Sequence, residues 1–121
     1  MSKTILIVED NKLNMKLFND ILQFHGYNTV QAPDGGRFLN LVRERKPDLI
    51  LMDIRLRKTS GMELTKMLKA DDKLKEIPVV AVTAFAMKQD KEKIFECGCD
   101  AYVSKPVSVQ TLLNTVSKFL N

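Results

Sequence analysis

Four short apolar runs, each followed by polar or charged side chains, constrain the fold of this chain more than any other feature. The runs and the polar residues that end them are Ile5-Leu6-Ile7-Val8 before Glu9 and Asp10, Leu49-Ile50-Leu51-Met52 before Asp53, Val79-Val80-Ala81-Val82 before Thr83, and Tyr102-Val103-Ser104 before Lys105 and Pro106. Continuous apolar runs of this length are typical of parallel strands that are buried on both faces. Since such sheets bind ligands beyond the carboxyl ends of their strands, we expect the polar side chains to meet at one edge.

The segments between these runs have the apolar spacing of helices, and a further short strand is expected from Tyr27 to Gln31. The apolar positions of the five predicted helices are Leu13, Leu17, Ile21 and Phe24 flanked by Phe18 and Leu22; Phe38, Leu41 and Val42 after an Asp34 cap; Leu64, Met67 and Leu68; Ile94 and Phe95; and Val109, Leu112, Leu113, Val116 and Leu120 on an inner face after a Ser108 cap. Strands that alternate with helices imply right-handed crossovers and helices on both faces of the sheet. The sequence therefore predicts an α/β fold, a flavodoxin-like doubly wound (βα)5 domain with a five-stranded parallel sheet of order 2-1-3-4-5.

Length and composition favour one globular domain. The chain has 121 residues, of which 45% are hydrophobic and 28% charged, and it shows no linker or repeat. We therefore expect a single domain over residues 1–121 with no output domain. The first apolar run is too short for a signal peptide or a membrane span, so we expect a cytoplasmic protein with no membrane insertion.

Charge and cysteine content exclude several other classes. The net charge is +4, but the Lys and Arg residues are dispersed, and the chain has no Trp and two Tyr, which argues against a nucleic-acid partner. We expect a solvated basic surface, and a less favoured alternative is that the basic excess steers an acidic partner protein. Cys97 and Cys99 are separated by one residue and suit neither a disulfide framework nor a zinc site, so we expect structural thiols.

The polar strand ends have the composition of a magnesium and phosphoryl site. Two carboxylates about 4 Å apart repel each other by roughly 4 kcal/mol at an effective dielectric constant near 20, so a cluster of Glu9, Asp10 and Asp53 needs a cation or a bound proton. Mg²⁺ is the predicted cation because it prefers oxygen ligands and binds through one or two carboxylates and a phosphate. No His or Cys lies beside these acids in the sequence, which argues against zinc, copper and nickel.

Each polar strand end can then be given one role. Asp53 stands alone after the third predicted strand and can attack phosphorus to form an acyl phosphate. Phosphoryl transfer mainly requires in-line positioning and neutralised equatorial oxygens. Mg²⁺ on Asp10, the Lys105 ammonium and the Thr83 hydroxyl would each cover one oxygen, with Glu9 holding the metal through a water.

Over its whole length the chain resembles the receiver domains of two-component response regulators. The matching pieces are Glu9-Asp10, Met52-Asp53, Val82-Thr83-Ala84, and Lys105-Pro106 with Tyr102 three positions earlier. The finer pattern is similar to a single-domain cell-cycle regulator of this family, in Val8-Glu9-Asp10-Asn11 followed by Asn14-Met15-Lys16-Leu17-Phe18, and in the run from Val82 to Lys88.

The resemblance implies a phosphoacceptor rather than an enzyme. It implies that Asp53 receives phosphate from a phosphohistidine of a sensor histidine kinase or phosphotransfer protein. It also implies that Asp10, Asp53 and the backbone carbonyl of Arg55 ligate Mg²⁺, and that the Lys105–Pro106 bond is cis, an isomer that X-Pro bonds adopt at low cost.

The resemblance further implies a switch. Thr83 and Tyr102 would couple phosphorylation to a change on the face formed by the fourth helix, fifth strand and fifth helix. A downstream protein partner would bind this face, in a pathway of cell-division control, with the chain itself a monomer or weak dimer.

Two positions depart from the family pattern. Receiver domains usually have Pro four positions after the phosphoacceptor, whereas this chain has Arg57, so we expect a less rigid loop. Arg55, two positions after Asp53, is long enough to reach the phosphoryl group or to block an attacking water.

Two other functions share parts of this pattern. An FMN electron carrier has the same predicted fold but needs a loop rich in Ser, Thr and Gly after the first strand, where this chain has the acids Glu9 and Asp10. A phosphatase of the haloacid-dehalogenase type also uses Asp, Thr, Lys and Mg²⁺, but places a second Asp where Arg55 stands. A coloured protein would favour the first alternative, and turnover of a small phosphoester the second.

Overall fold

Strands and helices alternate along the whole chain in the computed structural model, which describes residues 2–84 and 88–120. The elements in chain order are β1 (Thr4–Val8), α1 (Lys12–Phe24), β2 (Asn28–Ala32), α2 (Phe38–Arg45), β3 (Leu49–Asp53), α3 (Gly61–Lys69), β4 (Val79–Thr83), α4 (Lys88–Glu96), β5 (Ala101–Ser104) and α5 (Val109–Leu120). The five strands form one parallel sheet of order β2-β1-β3-β4-β5. The predicted fold class and strand order are confirmed.

Each face of the sheet supports its own hydrophobic core. One core joins the sheet to α2, α3 and α4, and its buried helical members are Phe38, Val42, Leu64, Leu68 and Ile94. The other joins the sheet to α1 and α5 through Met15, Phe18, Leu22, Leu112 and Val116. Because successive side chains of a strand point to opposite faces, both cores require apolar residues, which explains the unbroken apolar runs of β1, β3 and β4.

Helix α1 carries two apolar stripes, and only one of them packs against the sheet. Leu13 and Phe24 are 81% and 86% exposed, and Leu17 is also exposed, whereas the buried residues of the helix are Met15, Phe18 and Leu22. The helix carries two apolar stripes, and periodicity alone does not say which of them faces the sheet. The spacing of the apolar residues thus predicts the helix correctly but does not identify the side that packs.

Asp34 does not cap α2. Its Oδ1 accepts a hydrogen bond from the backbone N–H of Gly36 at 2.8 Å, which closes a local turn instead. The helix begins at Phe38 after Arg37, which supplies no side-chain cap. A short Asp side chain can satisfy nearby backbone groups in a turn as well as at a helix start, so the prediction that Asp34 caps this helix is wrong.

Two helical positions expected to pack inward are exposed, and one expected cap is present. Met67 of α3 and Val109 of α5 are exposed, and α3 buries Thr65 instead, whose hydroxyl donates to the Gly61 carbonyl at 2.8 Å. The Ser108 hydroxyl accepts the N–H of Thr111 at 3.0 Å and caps α5 as predicted.

The two cysteines lie in the core beneath α4. Both are buried and free, and their sulfur atoms are 3.7 Å apart. The Cys97 thiol donates to the carbonyl of Ile94, and the Cys99 thiol to the hydroxyl of Thr65. This environment agrees with the expectation of structural thiols.

None of the helices in the described part of the chain combines the length and the apolar character that a membrane crossing requires.

Two phenylalanines provide a matched test of this packing. Phe38, the first residue of α2, is almost fully buried, whereas Phe24, the last residue of α1, is exposed. We expect Phe38→Ala to lower the free energy of unfolding by about 3–5 kcal/mol through loss of buried area and a residual cavity. Phe24→Ala should change it by no more than about 0.5 kcal/mol. Urea denaturation measures both, and a large loss in Phe24→Ala would contradict the observed orientation of α1.

Candidate functional site

The carboxyl ends of the strands bring the predicted acids and the lysine together. Glu9 and Asp10 follow β1, Asp53 ends β3, and the three residues each offer an oxygen within 4.8 Å of the others. Lys105 follows β5, and its Nζ lies 3.4 Å from both Glu9 Oε1 and Asp53 Oδ2. Thr83 ends β4, and its carbonyl accepts the Lys105 N–H at 2.8 Å. Residues far apart in the sequence thus form one cluster, as the strand pattern predicts.

Asp53 is held from two sides. It is only 4% exposed, and its Oδ1 accepts the backbone N–H of Arg55 at 3.1 Å, while Oδ2 faces the Lys105 ammonium. The loop from Ile54 to Ser60, between β3 and α3, supplies the first of these contacts, and we call it the β3–α3 loop. Both contacts are made by donors, which fix the orientation of the two carboxyl oxygens, and the carboxylate is the form that can act as a nucleophile.

Gly61 allows α3 to begin close to Asp53. A Cβ atom at position 61 would overlap the carbonyl oxygen of Asp53, and it would also crowd the Cα of Ile54. The Gly61 N–H donates to the Ile54 carbonyl at 2.9 Å, and the Ser60 hydroxyl caps the helix through the N–H of Met62. The sequence analysis assigned no role to Gly61. Its position between a polar loop and a predicted helix was the one sequence feature that indicated a special backbone requirement.

Glu9 is buried, and its pKa is raised. It is 1% exposed, its Oε2 accepts the N–H of Asn11 at 3.2 Å, and its buried Oε1 has no hydrogen-bond partner among the described residues. Burial and, after it, the adjacent Asp53 carboxyl raise the pKa of Glu9 from 4.5 to about 7, against smaller opposing effects of the Asn11 N–H and the Lys105 ammonium. A hydrogen bond between the two carboxyl groups requires a proton on one of them, because ionised carboxylates only accept.

Asp10 is fixed by the β3–α3 loop. Its Oδ2 accepts the backbone N–H of Arg57 at 2.6 Å. Three carboxylates in one cluster form a set of hard oxygen donors that suits Mg²⁺, and one buried oxygen of Glu9 accepts no hydrogen bond from the part of the chain that the structure describes. The acidic cluster is therefore consistent with a magnesium site.

Thr83 and Tyr102 lie on the same face of the sheet. Ala81 pairs with Tyr102 and Thr83 with Ser104, so both side chains point toward the layer that contains α4. Thr83 is buried, while Tyr102 is half-buried, with its ring edge-on to Phe95 at 6.0 Å between centroids. The Lys91 ammonium stands 5.1 Å from the centre of the Tyr102 ring.

The Lys105–Pro106 peptide bond is cis. Residues 85–87, which belong to the run used for the resemblance to the cell-cycle regulator, lie outside the described residues.

Comparison with known proteins assigns the family. The model of the response regulator receiver domain matches residues 5–117. The chain belongs to this family. Receiver domains are phosphoacceptor signalling proteins rather than catalysts, so family membership favours this function over the FMN carrier and the phosphatase.

Within the receiver family, the chain is similar over its whole length to regulators of one name. The polar-differentiation response regulator DivK of Brucella anthropi is 55% identical over 120 residues, which cover 99% of this chain and 98% of the relative. The protein of the same name in Brucella abortus is 54% identical over the same coverage. The chain is thus a receiver response regulator homologous to DivK, as the finer sequence pattern predicts.

Solved receiver structures agree with the fold. A CheY-like receiver domain protein from Methanospirillum hungatei is 29% identical with a TM-score of 0.88, and the match covers 98% of this chain and 93% of that one. The receiver domain of a sensor histidine kinase from Pseudomonas aeruginosa is 28% identical with a TM-score of 0.90, and 98% of each chain is covered. That structure holds a magnesium ion coordinated in its active site cleft.

The raised pKa of Glu9 predicts an inverse pH dependence of stability without metal. The folded chain keeps this proton up to about pH 7, whereas the unfolded chain loses it near pH 4.5, so raising the pH between these values destabilises the fold by up to about 3 kcal/mol. Glu9→Gln is neutral at every pH and escapes this loss. We expect its stability relative to the unsubstituted chain to increase from pH 4.5 to 8 in urea denaturation with a chelator.

Glu76→Gln is the matched control, because Glu76 is an exposed carboxylate away from the cluster. Its stability relative to the unsubstituted chain should change little over the same pH range. An advantage of Glu9→Gln that does not grow with pH would contradict the assigned pKa.

Proposed function

We propose that this receiver domain is a phosphorylation-activated switch in which Asp53 accepts the phosphoryl group of a phosphohistidine. The donor is a sensor histidine kinase or a phosphotransfer protein. The observation that carries the proposal is the placement of the Asp53 carboxylate between the Arg55 N–H and the Lys105 ammonium, beside the other two acids. An oxygen of Asp53 bonds to phosphorus while the phosphorus–nitrogen bond breaks, and the histidine of the donor, protonated on its other ring nitrogen, leaves as neutral imidazole.

The remaining residues of the cluster would manage the charge of the transferred group. Mg²⁺ bound by Asp10, Asp53 and the Arg55 carbonyl, and by Glu9 through a water, would neutralise charge on the phosphoryl oxygens. The Lys105 ammonium lies 3.4 Å from a carboxylate oxygen of both Glu9 and Asp53. It is therefore near enough to bind a second oxygen of a phosphoryl group on Asp53. The Thr83 hydroxyl would bind the third.

Replacement of the nucleophile tests the assignment of Asp53. Asp53→Asn keeps the shape of the side chain but removes the attacking charge, so labelling by a radiolabelled phosphohistidine donor should be abolished. Asp72→Asn, an equally conservative change at an exposed carboxylate outside the cluster, should label like the unsubstituted chain. Label that persists in Asp53→Asn, or that resists the alkali that hydrolyses acyl phosphates, would refute Asp53 as the acceptor.

We further propose that Thr83 and Tyr102 transmit the phosphorylated state to the face formed by α4, β5 and α5. A phosphoryl group adds about −2 charge and strong acceptors beside Thr83. The Thr83 hydroxyl would move toward it, and Tyr102, two residues back in the register of the adjacent strand, would turn inward into the space that Thr83 leaves. The Tyr102 ring would then leave Phe95 and Lys91 and change the surface of α4.

A phosphoryl mimic separates this route from phosphate binding itself. We expect Thr83→Ala to bind beryllofluoride with Mg²⁺, yet to lose most amide shift changes in α4 and α5 measured by NMR. Tyr102→Ala should weaken the same response, whereas Thr83→Ser, which keeps the hydroxyl, should retain it. The coupling at stake is typically about 1–3 kcal/mol, or roughly 5- to 150-fold in partner affinity. An undiminished response in Thr83→Ala would show that the signal leaves by another route.

The biological setting proposed is the control of cell division and polar differentiation. Relatives named for polar differentiation are matched over 98% of their own length, which supports this setting. We propose that the receiver domain acts there without an output domain, in the cytoplasm, as a monomer or weak dimer. The output would then be a separate protein that binds the face of α4, β5 and α5. Phosphotransfer profiling against the sensor histidine kinases and phosphotransfer proteins of the source organism would identify the donor, and phosphorylation by none of them would contradict the proposal.

A further inference from the structure

A backbone hydrogen bond joins the β3–α3 loop to Asp10. The N–H of Arg57 donates to Asp10 Oδ2 at 2.6 Å, across 47 positions of sequence. Most receiver domains have Pro at this position, and Pro has no backbone N–H. The hydrogen bond therefore depends on a residue at which this chain departs from the family pattern.

The hydrogen bond is strong in kind and selective for one oxygen. A carboxylate that accepts an N–H forms a charge-assisted hydrogen bond, which is shorter and stronger than a neutral one. It engages Oδ2 alone, and no hydrogen bond to Asp10 Oδ1 is found among residues 2–84 and 88–120. One oxygen of Asp10 is thus fixed by the loop, while the other stays available to a cation.

Two N–H groups of the same loop contact two acids of the cluster. The Arg55 N–H donates to Asp53 Oδ1 and the Arg57 N–H to Asp10 Oδ2, so alternate loop residues are attached to neighbouring carboxylates. The loop segment between these attachments includes the Arg55 carbonyl. Outer hydrogen bonds of this kind orient carboxylate ligands, and their loss typically weakens metal binding by about 10- to 100-fold.

We propose that the backbone N–H of Arg57 is a positioning group of the metal site. It holds Asp10 Oδ2 against the loop, presents Oδ1 to Mg²⁺ beside Asp53, and keeps the Arg55 carbonyl near the ion. The inference rests on the proposed function, because it assumes that the acidic cluster holds Mg²⁺. The Arg57 side chain has no part in it.

Two substitutions at position 57 separate the effect of the backbone N–H from that of the guanidinium. Arg57→Pro and Arg57→Ala both remove the guanidinium, but only Arg57→Pro also removes the N–H. We expect Arg57→Pro to bind Mg²⁺ about tenfold more weakly than Arg57→Ala in calorimetric titration with Mg²⁺ alone. Equal or tighter binding by Arg57→Pro would overturn the proposal.

An NMR measurement on the unsubstituted chain does not depend on the folding of a variant. The Arg57 amide should be protected from hydrogen exchange without metal and should stay protected in saturating Mg²⁺. Loss of protection on addition of Mg²⁺ would mean that the ion replaces the hydrogen bond, and the proposal would fail.

The outcomes separate this inference from the proposed function. Failure of the unsubstituted chain to bind Mg²⁺, or unchanged binding in Asp10→Ala, would refute the metal site and the positioning role together. Normal Mg²⁺ binding that Asp10→Ala abolishes, with equal affinities in the two variants at position 57, would refute the positioning role alone.

Discussion

Repulsion among three carboxylates at the ends of β1 and β3 is the constraint on which the rest of the site depends. A parallel sheet places these strand ends side by side, and the two cores beneath it exclude water from Glu9 and most of Asp53. The fold compensates in three ways without a metal: the Lys105 ammonium, the two N–H groups of the β3–α3 loop, and the raised pKa of Glu9. An added cation would replace the proton of Glu9, and a phosphoryl group would draw the Lys105 ammonium to itself, while the two N–H groups would keep Asp53 and Asp10 in place.

The strands and the content of the site could be predicted because both follow from burial. Residues of β1, β3 and β4 are apolar on both faces, so a polar residue such as Asp53 or Thr83 stands out where its strand ends. Helix faces were harder, because α1 has two apolar stripes and only the packed structure distinguishes Met15 from Leu13. The sequence held enough information for the sheet but not for the rotation of each helix on it.

The loop contacts could not be predicted, because they depend on the path of the backbone rather than on residue type. Any residue except Pro supplies an N–H at position 57, so the presence of Arg57 in the sequence does not predict a hydrogen bond to Asp10. Gly61 is similar, since its need for a missing Cβ appears only once the Asp53 carbonyl is known to lie against it. Asp34 shows the reverse case, in which a residue type that favours a helix cap serves a turn instead.

The contacts of Tyr102 set an energetic threshold for the proposed switch. An edge-on aromatic pair contributes about 0.5–1.5 kcal/mol and a partly exposed cation–π contact about 0.5–1 kcal/mol, so Phe95 and Lys91 together hold the ring by roughly 1–2.5 kcal/mol. This is similar to the coupling energies of about 1–3 kcal/mol that are typical between two sites. Both contacts come from α4, so the energy that resists the inward turn of Tyr102 is stored in the surface that a partner would read. A partner that binds Phe95 or Lys91 in their rearranged positions would thus favour the phosphorylated state, and by reciprocity phosphorylation would favour that partner.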